Sequence, residues 1–267
     1  MRLLDTKRAV MSLLCLLVFP AWSQATGSAY SLTYQKDIPL ALAGVGFFAL
    51  GQYRISNMEP YDGNYEKIDL MPWDRPIAGH FNAKADLASD ILSGAGVYPV
   101  VFALAGWHRG DIQGRDVATQ VGMLAEALAI QSGINLAVRS LKVWPRPLML
   151  GTDGGEERNS ADASGSFYSG HSSAAFTIAV FSGCWFDRTY PDSKWTPWVW
   201  AGGLALATTT ASLRVVAGKH YPSDIIVGAL MGSLVGWVVP YLHRNLDDQQ
   251  RVTAVAMPNG VRVLFVL

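Results

Sequence analysis

The chain has 267 residues, 50% of them hydrophobic and 16% charged, with 21 basic side chains balancing 21 acidic ones. That length suits one domain with a full core, and the charged fraction is well below the usual ~25%, as buried or membrane-crossing helices require. Zero net charge without a basic stripe argues against a nucleic-acid partner, and two cysteines, Cys15 and Cys184, argue against a disulfide framework or a cysteine metal site.

In chain order, residues 1–25 read as a targeting segment. Arg2, Lys7 and Arg8 form a positive start, Ala9 to Trp22 is an apolar run, and Ala21, Ser23 and Ala25 supply small residues for cleavage near Ser23 or Ala25. An uncleaved signal anchor is the other reading. Residues 26–246 then form the main helical domain and 247–267 a tail. Cys15 would leave with the leader, and Cys184 reads as a buried small hydrophobe.

Six apolar segments follow: Ile38–Tyr53, Asp90–Trp107, Val117–Val138, Ser172–Trp185, Trp195–Ser212 and Ile225–Leu242. Their length and Ala, Leu and Gly content predict helices rather than strands. The last approaches the ~20 residues of a membrane span and carries Gly228, Gly232 and Gly236 at four-residue spacing, which lets another helix approach closely. The third carries Gln120, Glu126, Gln131 and Asn135 and can span only with those side chains turned inward. The expected fold is all-α, a bundle of about six core helices, largely membrane-embedded. Beyond it, two β-rich runs around Pro258-Asn259-Gly260 predict a short hairpin or extended tail. Trp195, Trp198 and Trp200 suit an interfacial belt or core packing. Asp153, Glu156 and Glu157 read as a solvated acidic loop, and His80, His108 and His243 as surface or loop residues.

Three stretches carry chemistry: Arg139-Ser-Leu-Lys142-Val-Trp-Pro-Arg146-Pro147, Tyr168-Ser169-Gly170-His171, and Arg214-Val-Val-Ala-Gly-Lys-His220-Tyr-Pro-Ser-Asp224. Arg139, Lys142, Arg146 and Arg214 flank apolar helices, where charge is costly unless it meets an anion, and guanidinium forks match phosphate oxygens. Ser169 and Gly170 stand just before a helix, whose free N–H groups favour an anion. His171 beside them is suited to protonating a leaving group. Pro222 opens a helical turn, so Asp224 can reach back to His220, fix its tautomer and stabilise positive charge. The other ring nitrogen can then attack phosphorus.

Together these stretches resemble the signature of type 2 phosphatidic acid phosphatases, shared with class A bacterial acid phosphatases and vanadium haloperoxidases. Arg139 stands where that signature has lysine, Tyr168 where it has proline and Leu213 where it has serine, while order and spacing hold. The likeness is specific only over the motifs. It implies His220 as nucleophile, Asp224 as its orienting carboxylate, His171 as general acid, and Arg139, Arg146, Ser169, Gly170 and Arg214 as the phosphoryl cradle, with Lys142 a further candidate. It implies neither a cofactor nor a metal. The expected reaction is hydrolysis of a lipid phosphate or diphosphate at the periplasmic face of a bacterial inner membrane, with a lipid phosphate substrate and the membrane as partners. Other readings are a soluble periplasmic acid phosphatase, a vanadium haloperoxidase, and a non-catalytic membrane binding or scaffold protein with a decayed site. A cleaved leader and a periplasm-facing site conflict if every apolar segment crosses the membrane.

Overall fold

The computed structural model describes residues 28–57, 69–245, 252–257 and 260–265; the predicted leader lies outside them. Seven α-helices run through the described part: α1 (Tyr34–Ser56), α2 (Ala83–Gly94), α3 (Tyr98–Arg109), α4 (Gly114–Arg139), α5 (Gly170–Thr189), α6 (Thr196–Val216) and α7 (Pro222–His243). A single 3-10 turn at Ala95–Val97 joins α2 to α3, so these two make one bent rod and the bundle has the six rods expected. Two C-terminal strands, β1 (Val252–Met257) and β2 (Gly260–Phe265), pair antiparallel with Met257 opposite Gly260.

Local chemistry sets the helix ends. The Asn82 side chain accepts from the N–H groups of Lys84 and Ala85, both at 3.1 Å, satisfying two of the donors left over at a helix start. Asp116 reaches back to the N–H of Gln113 at 2.9 Å. α3 stops at Gly110 with φ 80°, a conformation that glycine adopts without penalty.

Rods successive in the chain alternate in direction, giving the bundle two distinct ends, while the closely packed pairs α1/α4 and α5/α7 run parallel. The C-ends of α1, α4 and α6 meet the N-ends of α2, α5 and α7. At the opposite end the residues before α1 meet those after α7: the Ser31 N–H donates to the His243 carbonyl at 3.0 Å and the Asn245 N–H to the Ala29 carbonyl at 3.0 Å. Ser28 joins this end through its bond to Asp116 at 2.7 Å.

Five rods are long and apolar enough to cross a membrane: α1, α2–α3, α4, α6 and α7. Their outward faces carry large apolar side chains, among them Leu42, Phe47, Trp198, Leu230 and Trp237, the surface expected of helices solvated by lipid. α5 is the inner helix and packs against α4, α6 and α7. The four polar side chains of α4 do turn inward, with Gln120, Glu126, Gln131 and Asn135 all buried. The tryptophans divide: Trp198 is exposed, Trp195 packs on the core, and Trp200 lies against Gly183.

The α7 glycines form the seam against α5. A Cβ would come 2.7 Å from the Ser169 carbonyl oxygen at Gly228 and 2.5 Å from that of Thr177 at Gly236, and at Gly232 it would collide with the Ser173 carbonyl. Gly232→Ala should therefore lower stability by about 1–3 kcal/mol through overpacking. Gly202→Ala, whose Cβ meets nothing within 4 Å, should be neutral or stabilising. Thermal unfolding of both variants in detergent checks the contrast.

Candidate active site

All three motifs converge at the end where α4 and α6 finish and α5 and α7 begin. Gly218 makes the turn that presents His220. Its φ is 71°, and a Cβ there would collide with the carbonyl of His80. Backbone bonds lock the turn in place: Leu148 N–H to Gly218 O at 3.0 Å, Asn82 N–H to Ala217 O at 3.2 Å, and Gly79 N–H to Pro147 O at 2.8 Å. The loop before α2, the end of the first motif and the third motif are thus one backbone-bonded unit.

Asp224, fully buried, stands in the first turn of α7. One carboxylate oxygen accepts from Ser166 at 2.5 Å and from the Tyr221 N–H at 2.9 Å, the other from Trp144 Nε1 at 3.1 Å. His220 Nδ1 lies 3.5 Å from this carboxylate and 3.4 Å from Ser166 Oγ. The Nδ1 edge of the ring therefore faces Asp224 and Ser166, and Nε2 is the opposite edge. The backbone carbonyl of Asp224 accepts from Ser169 N–H at 3.1 Å, which ties the second motif to the third. Ser169 also caps α5 by accepting from Ser172 N–H at 3.3 Å.

The surroundings of His220 are strongly positive. Burial first, and then the charges of Arg146, Arg214, Arg139 and His171 in that order, hold its imidazole well below the ordinary histidine value. Both effects disfavour imidazolium, so the ring is neutral. Four of the residues read from the sequence are thereby gathered around the fifth. Lys142 is not one of the charges that dominate at His220; it follows α4 in a left-handed conformation, φ 50°. Arg139 holds the loop before the second motif by donating from Nε to Gly165 O at 3.2 Å. Asn135, one turn earlier, donates to Tyr168 O at 2.7 Å. A Cβ on Gly170 would come 2.8 Å from Asn135 Oδ1, so a larger residue there must displace the Asn135 side chain.

Sequence reasoning missed an acidic wall. Arg214 Nη1 contacts Asp86 at 2.6 Å, Ser89 at 2.8 Å and Asp90 at 3.4 Å, all from α2. His171 Nε2 lies 3.2 Å from Asp90. Lys219, buried next to His220 in the chain, pairs with Asp86 at 3.0 Å and also with Glu157, so Glu157 is not a purely solvated loop residue. The available signal was Asp86 and Asp90 at i, i+4, which places both on one face of a helix. Trp144 and Ser166 lay inside or just before motifs and went unselected because neither is ionisable. Arg214 Nε is buried without a hydrogen-bond partner, a donor still open to an anion.

Beside His171 and Gly170 opens a cavity of about 430 Å³ that runs into the bundle between apolar side chains such as Phe48, Leu92, Ile178 and Leu206. A pocket of that size holds a small-molecule ligand or part of a larger one.

Residues 120–248, the stretch that holds all three motifs, match the PAP2 superfamily. That match covers just under half of the chain, and over it the chain is similar to the PAP2 superfamily. A lipid A 1-phosphatase of Porphyromonas gingivalis is 32% identical over 95 residues, 34% of this chain and 20% of that protein. A lipid A 4'-phosphatase of Bacteroides thetaiotaomicron is 29% identical over 80 residues, 30% of this chain and 32% of that protein. The bacitracin transport permease protein BcrC of Bacillus licheniformis is 34% identical over 73 residues, 25% of this chain and 34% of that protein. The matched stretches thus span about a third or less of each of these relatives. A crystal structure of a transmembrane PAP2-type phosphatidylglycerolphosphate phosphatase from Bacillus subtilis aligns over 78% of this chain and 92% of that one, with 15% identity and a TM-score of 0.40.

Proposed function

We propose that this protein hydrolyses a lipid phosphate or diphosphate through a phosphohistidine at His220. The observation that carries the chemistry is a buried imidazole with its Nδ1 edge against Asp224 and Ser166, whose burial and neighbouring arginine charges disfavour the protonated form. In this reading Nε2 attacks phosphorus while Asp224 stabilises the positive charge that develops on the ring. His171 protonates the departing oxygen, and water then cleaves the P–N bond with His171 taking its proton. Arg139, Arg146 and Arg214 balance charge on the transferring group, where phosphoryl transfer gains most from the protein. Ser169 and Gly170 contribute the N-terminus of α5.

A lipid substrate is supported by the cavity, which has Gly170 and His171 in its wall and apolar side chains such as Phe48 and Ile178 around the rest. The two lipid A phosphatases among the relatives favour the same class. The α2 carboxylates add a condition: Asp86 and Asp90 already face Arg214 and His171, so an incoming phosphate must compete with them. A dianionic monoester or a diphosphate competes better than a monoanionic diester.

The site is proposed to face the periplasm. Residue 34 begins α1 at the bundle end remote from the site. If α1 crosses the membrane, that end is cytoplasmic, whereas a leader inserted with Arg2, Lys7 and Arg8 on the cytoplasmic side would deliver residue 34 to the periplasm. The leader reading and the periplasmic reading then exclude one another, and the periplasmic one is adopted here.

Purified wild type and His220→Ala should be compared on a panel of lipid phosphates and one soluble ester, with EDTA present. Loss of phosphate release on the order of 10³-fold or more is expected in the variant. Equal rates in the two proteins would remove His220 from the reaction, and abolition of wild-type activity by EDTA would remove the metal-independent route. The nucleophile must be neutral, and its pKa lies well below 6.5; the acid His171 must be protonated, and burial and then Arg214 lower its pKa to about 4, so wild-type kcat/KM should hold or rise as pH falls through 6.5. An acid limb at or above that value would contradict the assignment. For orientation, a membrane-impermeant maleimide applied to intact spheroplasts should label Asp153→Cys and not Asp192→Cys in a Cys15→Ser, Cys184→Ser background. The reverse pattern would place the site in the cytoplasm.

A further inference from the structure

His243, expected from the sequence to be a surface residue, is fully buried at the bundle end remote from the active site. Its Nδ1 lies 2.8 Å from the Val239 carbonyl. A carbonyl only accepts, so Nδ1 carries a proton and Nε2 is the edge that faces the neighbours. Nε2 lies 2.6 Å from Asp37 Oδ1 on α1 and 3.3 Å from Glu126 Oε2 on α4. The three facing atoms all fall within 4.8 Å of one another.

Glu126 supplies the independent observation. It is 8% exposed, and neither of its carboxylate oxygens has a hydrogen-bond partner. Among the described residues, no lysine or arginine pairs with Glu126 or Asp37. If His243 is an imidazolium, the trio still carries one uncompensated negative charge and Glu126 stays without a donor. If it is neutral, the lone pair of Nε2 faces two carboxylates. A divalent cation resolves both cases at once.

Geometry and ligand chemistry agree. Imidazole and carboxylate ligands around a tetrahedral ion with bonds of about 2.0–2.1 Å lie about 3.3 Å apart. The His243–Glu126 separation already has that value, and the His243–Asp37 contact needs to open by several tenths of an ångström. The Nδ1 contact to Val239 is the outer-shell bond that orients metal-bound histidines. Asp37 retains 26% side-chain exposure, leaving a path and a fourth position for water.

We propose that Asp37, Glu126 and His243 form a structural site for a divalent cation, with Zn2+ the ion that one imidazole and two carboxylates suit best. It joins α1 to α4 and α7. Glu126 and Arg139 are 13 positions apart on α4, about 20 Å at 1.5 Å per residue, so the ion has no part in the phosphate chemistry.

The test uses untagged full-length protein in detergent, stripped with chelator and titrated with Zn2+ or Mg2+. Metal is counted after desalting by mass spectrometry, and the unfolding temperature is followed. One Zn2+ per chain, a raised unfolding temperature and no response to Mg2+ are expected. Loss of an outer-shell partner alone costs 10–100-fold in affinity, so Glu126→Gln and His243→Gln should each lose at least ~100-fold. Stripping should leave the initial rate of phosphate release unchanged, which separates this site from the catalytic reading. Because a variant can fail to fold, the wild-type titration decides alone. Retention of no metal together with an unmoved unfolding temperature would leave an imidazolium clamp in place of the proposed site. Wild-type Zn2+ affinity in both variants would move binding elsewhere.

Discussion

Everything at the active end depends on the burial of one carboxylate. Asp224 has no solvent contact, yet it is held by Ser166, Trp144 and the Tyr221 N–H. Those donors come from separate parts of the chain: Trp144 from the first motif, Ser166 from just before the second, and Tyr221 from the third. A buried ionised carboxylate is tolerated only with such partners. The requirement to satisfy it brings the three stretches together. Trp144 also packs edge-on against Phe167 at 5.1 Å, so the same side chain that donates to Asp224 shapes the wall before Tyr168.

The cations pose the opposite problem. Arg139, Arg146, Arg214 and Lys219 crowd one end of an apolar bundle, and their mutual repulsion must be offset. α2 does this with Asp86 and Asp90, and the loop before α5 does it with Glu157. These acids are not placed symmetrically. They meet Arg214, Lys219 and His171, while burial and the three arginine charges dominate at His220. The result is a neutral imidazole next to a positive patch whose outer side is already partly neutralised. Such an arrangement favours ligands with more negative charge than the carboxylates they displace, and it keeps the site stable when empty.

The bundle and the motif cluster were legible because each is written in residues that have few other uses. Long apolar runs of helical composition can hardly be anything but rods, and arginine, histidine and aspartate at helix ends call for a shared partner. The α7 glycines were also readable, since a four-residue repeat puts them on one face. The seam between α1 and α4 was not. It relies on Gly44, Gly51 and Gly133, each within 3.1 Å or less of the partner helix if a Cβ is added, but Gly44 and Gly51 stand seven apart and show no short repeat. Ser166 and Trp144 were silent for another reason: a neutral hydrogen-bond donor has no sequence signature until its buried acceptor is known. His243 failed in the reverse direction. A histidine at the last turn of a helix suits an exposed position near the negative end of the dipole, and only the fold shows Asp37 and Glu126 closing over it.

α4 draws these points together. Its hydropathy is intermediate because Gln120, Glu126, Gln131 and Asn135 interrupt an apolar helix, and burial of all four means that each must earn its place inside. Asn135 does so by holding the Tyr168 carbonyl and fitting against Gly170, and Gln131 lines the cavity beside His171. Glu126 lies outside that group, about one and a half to two and a half turns nearer the other end, where it faces His243 and Asp37. One helix thus carries polar groups for two separate ends of the bundle. The spacing between them explains why a substitution at the remote end can loosen the helix pairing without touching the phosphate site.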